Sequence, residues 1–71
     1  YRYGTPVAKN DLKEGDVLFF AGTYRRGISH VGVYIGDGKF VHASTRRYGV
    51  RVDDLDNDYY RRHYYGARRI E

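Results

Sequence analysis

The stretch from His30 to Ala43 constrains the fold more than any other part of this sequence. In His30–Ile35 the apolar residues recur at every second position, and Lys39–Ala43 is a second short segment rich in apolar residues. Gly36-Asp37-Gly38 separates the two segments. A period of two is typical of a β-strand, and a Gly/Asp turn between two strands predicts a β-hairpin.

The length of the hairpin loop decides whether two histidines share a face of the sheet. A three-residue loop, Gly36-Asp37-Gly38, puts His30 and His42 on the same face as diagonal neighbours, whereas a two-residue loop, Asp37-Gly38, puts them on opposite faces. Local turn chemistry permits both loops. The three-residue register pairs valine with valine and Tyr with Phe across the strands and leaves Gly32 as open space opposite His42, so we adopt it.

The other elements are predicted from shorter patterns. They are an incoming loop over 1–10 that contains Pro6, a polar turn at Asp11–Asp16, a buried strand at Val17–Ala21, a strand at Val50–Val52, a helical turn at Tyr59–Arg62 capped by Asp56 or Asp58, and a last strand at His63–Ile70. We therefore expect one antiparallel sheet of four or five strands with at most one short helix. An apolar sheet face of that size normally packs against a further layer.

Composition narrows the chemistry that this chain can perform. The 71 residues include no cysteine, which excludes a thiol nucleophile, a disulfide and a thiolate metal site within the chain. The net charge of +4 favours anionic partners, and no apolar run is long enough to span a membrane. Because the chain also lacks methionine, we expect it to be a piece of a longer protein.

Two histidines on one face suit a catalytic base and the group that orients it. A base needs a partner that fixes its tautomer and direction, so His30 is the candidate base and His42 the candidate orienting residue. Two alternatives remain open. The histidines can be ordinary cleft residues with water as partners, or, with His63, they can be ligands of a zinc ion.

The sequence is similar to the NlpC-type cysteine peptidases, which are bacterial peptidoglycan endopeptidases with a papain-like fold. The resemblance is carried by Asp-Leu-Lys-Glu-Gly-Asp-Val-Leu-Phe-Phe from Asp11, by Ile-Ser-His-Val-Gly-Val-Tyr-Ile-Gly-Asp-Gly-Lys-Phe-Val-His-Ala-Ser from Ile28, and by the tail from Tyr59 to Ile70. It implies an α+β domain of which residues 1–71 are the C-terminal, sheet-bearing part. It also implies that His30 is the base, that His42 orients it, and that the cysteine lies on a helix upstream of Tyr1 or on a second chain that carries this helical half.

The resemblance further implies a Cys-His-His thiol mechanism that hydrolyses amide bonds in cell-wall peptide stems, without a cofactor or a metal, outside the bacterial cytoplasm. This chain alone, without the cysteine, is expected to be inactive. Gly32, Ser29 and Arg47 are candidate substrate contacts, the arginine because its guanidinium binds carboxylates at two points. The alternatives are a wall-binding relative that has lost its nucleophile, or a nucleic-acid binder that uses tyrosine and arginine.

Overall fold

The described part of the chain is a single antiparallel sheet with one α-helix. The computed structural model describes residues 4–22, 28–43 and 49–70. The elements are β1 (Thr5–Val7), a 3₁₀ turn (Lys9–Asp11), β2 (Val17–Ala21), β3 (Ile28–Gly36), β4 (Lys39–Ala43), β5 (Val50–Asp54), α1 (Asp58–His63) and β6 (Tyr64–Arg69). The strand order is β1-β6-β2-β3-β4-β5. The predicted antiparallel sheet with one short helix is therefore confirmed for these residues.

The sheet has six strands rather than four or five, because the segment predicted as an incoming loop forms β1. Pro6 lies opposite Arg68 of β6, at the outer edge of the sheet. Proline has no N–H to donate, and an edge strand tolerates this loss because one of its sides has no neighbouring strand. The expectation of an irregular segment around Pro6 is wrong for this reason.

The hairpin combines the two loops that the sequence left open. Its turn is the two-residue Asp37-Gly38, with φ of 55° and 73°, and Gly36 pairs with Lys39. The predicted three-residue loop is therefore wrong. A bulge between Tyr34 and Gly36 then shifts the register by one, so that Tyr34 pairs with Phe40 and valine with valine as predicted. The extra residue of a bulge has the same effect on strand register as one more residue in the loop.

The core lies on the face of the sheet that α1 covers. Its buried residues are Leu18, Phe20, Phe40, Leu55 and Ala67. Tyr60 of α1 packs edge-on against two core phenyl rings, with centroid distances of 5.6 Å to Phe20 and 5.1 Å to Phe40. Within the described residues, no helix has the length and the apolar character that crossing a membrane requires.

Asn57, rather than Asp56 or Asp58, caps α1. The Asn57 side-chain oxygen accepts a hydrogen bond of 2.9 Å from the backbone N–H of Tyr59. Asp56 instead belongs to the turn after β5, where its backbone N–H donates to Asp54 Oδ1 at 3.1 Å. The predicted cap is therefore displaced by one residue, to a side chain that caps helices equally well.

The opposite face of the sheet is apolar and exposed. Val31, Val33 and Ile35 of β3 are 51%, 38% and 40% exposed, and Val52 of the edge strand β5 is 51% exposed. The alternation in β3 therefore marks the outer face, whereas the residues between these positions face the core.

A partly buried ion pair joins the turn before β2 to the last strand. Asp16 is 1% exposed and accepts bonds from Nε and Nη2 of Arg69 at 2.8 and 2.9 Å. It also accepts a hydrogen bond of 2.8 Å from the backbone N–H of Lys13 in the same turn. The hydrogen bonds from Arg69 lower the pKa of Asp16 despite its burial. This two-point contact ties together segments that are 53 residues apart.

Candidate functional site

His30 and His42 contact each other directly on the core-facing side of β3 and β4. His30 Nε2 lies 2.7 Å from His42 Nδ1, and the two rings are perpendicular, with centroids 4.9 Å apart. His30 is half-buried, whereas His42 is only 4% exposed. The prediction that the two imidazoles share one face is confirmed. Their assignment as base and orienting residue stays a prediction.

A third polar residue, which the sequence reasoning missed, continues this contact. Asp53 of β5 places Oδ2 2.6 Å from His42 Nε2, and its Oδ1 lies 3.3 Å from Arg51 Nη2. Local sequence patterns indicate only a helix cap among the nearby aspartates, at Asp56 or Asp58, and give Asp53 no role. Extending the alternation of Val50 and Val52 by two residues would have placed Asp53 in the strand. Only the pairing of Phe40 with Asp53 brings it to His42, and no local pattern encodes that register.

Aromatic rings enclose the two imidazoles on the side of the core. Phe40 and Tyr60 lie 4.6 and 5.3 Å from the ring of His42, and Phe20 lies 5.9 Å from the ring of His30. Burial, reinforced by the neighbouring His42, lowers the pKa of His30 below its ordinary value. The neutral imidazole, which can accept a proton, is therefore favoured at neutral pH.

Gly32 is packed against its neighbours and does not leave the open space that was expected. A Cβ at this position would lie 2.7 Å from Cδ2 of Phe40, 3.2 Å from the carbonyl oxygen of Val41 and 3.3 Å from Cβ of His42. The space opposite His42 is filled by the phenyl ring of the next strand, so the expected vacancy is wrong. Gly32 instead permits the close approach of β3 and β4 beside the histidine pair.

The other predicted substrate contacts are not placed by the structure. Arg47 lies outside the described residues. The backbone of Ser29 belongs to β3, one position before His30, and its side chain is outside the described part of the chain. A role in binding substrate stays a prediction for these residues.

His63, the third residue of the zinc alternative, makes a different contact. Its Nδ1 lies 2.9 Å from the carbonyl oxygen of Ala21, so this nitrogen carries hydrogen and donates to β2. Over residues 4–22, 28–43 and 49–70, no three side chains of the metal-binding types converge on one point. The described residues therefore do not support a zinc site that includes His63.

Comparison with known proteins identifies the family. The model of the NlpC/P60 family matches residues 1–69. The chain belongs to the NlpC/P60 family. This result confirms the family resemblance carried by the two long sequence strings.

Two relatives and one solved structure show what this NlpC/P60 chain is similar to. It is 41% identical over 69 residues to the murein DD-endopeptidase MepH of Escherichia coli, and 43% identical over 68 residues to the gamma-DL-glutamyl hydrolase of Bacillus subtilis. These alignments cover 97% and 96% of this chain but only 26% and 16% of the relatives. A crystal structure of an NlpC/P60 family protein from Bacillus cereus superposes with a TM-score of 0.86 at 38% identity, covering 96% of this chain and 23% of that one.

Proposed function

We propose that this chain supplies the general base and its orienting residue to a cysteine-type peptidoglycan endopeptidase. Residues 1–71 are then the C-terminal, sheet-bearing part of an α+β papain-like domain, and a helix upstream of Tyr1 carries the cysteine. The hydrogen bond of 2.7 Å between His30 Nε2 and His42 Nδ1 carries the proposal. A base held by a second polar group is the arrangement that activates a nucleophile.

The His30–His42 pair indicates how the thiol is activated. A free thiol has a pKa of about 8.5 and is mostly protonated at neutral pH. His30, whose lowered pKa favours the neutral ring, accepts the thiol proton as the sulfur attacks the stem amide. The resulting imidazolium then gives that proton to the leaving amine, while His42 holds the ring in place.

The substrate class and location rest on the relatives. One is named a murein DD-endopeptidase, another a murein DD-endopeptidase and murein LD-carboxypeptidase, and a third a probable peptidoglycan endopeptidase. Peptide stems of peptidoglycan are therefore the proposed substrate, and an extracytoplasmic location follows because the wall lies outside the cytoplasmic membrane. The net charge of +4 suits an anionic polymer of this kind.

The test is hydrolysis of purified muropeptides by the full natural protein that contains this chain. We expect His30→Gln to lower kcat by about 10²–10⁴, the range for loss of a general base, and a thiol alkylating reagent to abolish activity. His63→Gln is the matched control. It makes the same substitution at a histidine whose Nδ1 donates to the carbonyl oxygen of Ala21. It should retain kcat within a few-fold.

The proposal has two parts, the peptidase activity and the role of His30 as its base, and one result would overturn each part. The first part fails if a full protein leaves muropeptides intact although it contains the expected cysteine. The second part fails if activity survives His30→Gln. Sedimentation with purified wall that is insensitive to both His30→Gln and His42→Gln, together with no hydrolysis, would instead identify the chain as part of a wall-binding relative.

A further inference from the structure

The hydrogen bonds of the site form a continuous chain that ends at a carboxylate. It runs from His30 through His42 to Asp53, with heavy-atom distances of 2.7 and 2.6 Å. The side chain of His42 is 1% exposed and that of Asp53 is 17% exposed, so water has little access to the link between them. In such a dry setting, each group must match its neighbour as donor or acceptor.

The carboxylate determines which ring nitrogens carry hydrogen. An ionised Asp53 can only accept, so His42 Nε2 must donate to it. A neutral His42 then has its lone pair on Nδ1, which accepts from Nε2 of His30. A neutral His30 that donates from Nε2 carries its own lone pair on Nδ1.

We propose that Asp53 is a positioning residue that selects the tautomers of both histidines and thereby makes Nδ1 of His30 the basic atom of the site. This inference rests on the proposed function only for its catalytic consequence. The tautomers themselves follow from the distances and from the acceptor-only chemistry of a carboxylate.

Proton transfer at His30 leaves the rest of the chain in place. When Nδ1 takes a proton from the thiol, Nε2 keeps its hydrogen and still donates to His42 Nδ1. His42 stays neutral, Asp53 stays ionised, and no proton moves along the chain. The carboxylate of Asp53 acts by orienting the rings and by its negative charge. This charge favours the imidazolium of His30, which lies two hydrogen bonds away from it.

Arg51 gives the proposal a specific prediction for Asp53→Asn. Because Arg51 Nη2 lies 3.3 Å from Oδ1, an asparagine at position 53 is expected to keep its oxygen toward the guanidinium. Its NH₂ group then faces Nε2 of His42 and can only donate. The tautomer of His42 reverses, that of His30 follows, and Nδ1 of His30 carries hydrogen when the ring is neutral.

The direct experiment is ¹⁵N NMR of histidine side chains in the full natural protein, at a pH of about 8, well above the ordinary histidine pKa of about 6.5. In the wild type, we expect hydrogen on Nε2 and a lone pair on Nδ1 in both His30 and His42. In Asp53→Asn, the pattern should reverse at both rings. Hydrogen on Nδ1 of His42 in the wild type overturns the proposal without any variant, and so does an unchanged pattern in folded Asp53→Asn.

Kinetics separate positioning from simple loss of structure. Asp53→Asn should lower kcat on muropeptides by about 10²–10⁴, the range for loss of a general base, with KM nearly unchanged. Asp54→Asn is the matched control, since Asp54 is the next residue of the same strand and pairs on the exposed side with Lys39 at 3.6 Å. It loses the same charge and should keep its activity.

A double variant provides the sharpest readout. Removing Arg51 in Arg51→Ala/Asp53→Asn lets the amide rotate so that its oxygen again accepts from His42. We expect kcat to recover by up to about fivefold over Asp53→Asn, the factor that one weak, exposed polar contact to Arg51 supports. A purely structural role for Asp53 predicts a further loss instead, and that result would overturn the proposal.

Failure of this inference can be told apart from failure of the proposed function. Tautomers that reverse in Asp53→Asn, in a protein that does not cut muropeptides, would support tautomer selection by Asp53 and reject the peptidase function. Normal hydrolysis, with tautomers that do not change in Asp53→Asn, would support the peptidase function and reject tautomer selection by Asp53.

Discussion

Gly32→Ala tests whether close packing of β3 against β4 holds the histidine pair together. The added methyl carbon would start 2.7 Å from Cδ2 of Phe40, about 1 Å inside the usual separation of two carbon atoms. Phe40 cannot withdraw freely, because it is 0% exposed and its ring centroid lies 5.1 Å from that of Phe20. The backbone of Gly32 has no positive φ, so the effect of the substitution is steric.

The expected cost follows from two opposing contributions. Overpacking a filled core destabilises by about 1–3 kcal/mol, whereas replacing glycine by alanine stabilises by about 0.4–1 kcal/mol through the unfolded chain. Gly66→Ala receives only the second contribution, because a Cβ there meets nothing within 4 Å and Gly66 also lies in a strand without a positive φ. The difference between the two variants isolates the overpacking, about 1–3 kcal/mol.

The measurement is urea unfolding of both variants, made in the full natural protein and followed by circular dichroism. We expect Gly66→Ala to match or exceed the wild type and Gly32→Ala to fall below it. His42 Cβ lies 3.3 Å from the new methyl position, so the ¹⁵N signals of His42 should shift only in Gly32→Ala. Equal unfolding free energies for the two variants would refute the packing argument.

Three further predictions concern stability and use the same unfolding assay. Asp16→Ala should destabilise by about 2–3 kcal/mol, less than for a fully buried pair because the side chain of Arg69 is 30% exposed; no loss would mean that the two-point contact contributes nothing. The pKa of His30 is lower in the folded chain than in the unfolded chain, so as pH falls the unfolded chain binds the proton first. The free energy of unfolding should therefore be highest above the ordinary histidine pKa and should fall as pH drops from there through the pKa of the folded state. His30→Gln should remove this contribution to the pH dependence. Asn57→Ala removes the acceptor of the Tyr59 amide and should cost about 1 kcal/mol, whereas an unchanged stability would deny it a capping role.

Local patterns predicted the elements whose cause is local. β2 was predicted with the bounds observed, Val17–Ala21, because an unbroken apolar run between turns has few other solutions. β6 and α1 differ from prediction only at their ends, where helices and strands are least defined. β1 was missed because three residues around a proline are too few to show a period, and pairing with β6 creates the strand.

The residues of the candidate site also divide into those that local patterns predict and those that depend on strand pairing. The two histidines were found because they belong to one hairpin, in which the side-chain period of two leaves only two possible arrangements. The bulge at Ile35 restored the same-face arrangement although the turn has two residues. Asp53 was missed because its strand joins the site through the register of β4 and β5, and Gly32 was misjudged because the phenyl ring that fills its space comes from β4.

The sequence by itself determined the family and the antiparallel hairpin, since these depend on residue types at short, fixed spacings, and it limited the two histidines to two arrangements, between which the bulge in β3 decided. Only the tertiary structure decided which carboxylate meets His42 and which arginine neutralises Asp16. Those contacts join strands that are distant along the chain, and their geometry depends on how the whole sheet pairs. Short-range periodicity carries no information about which long-range partners meet.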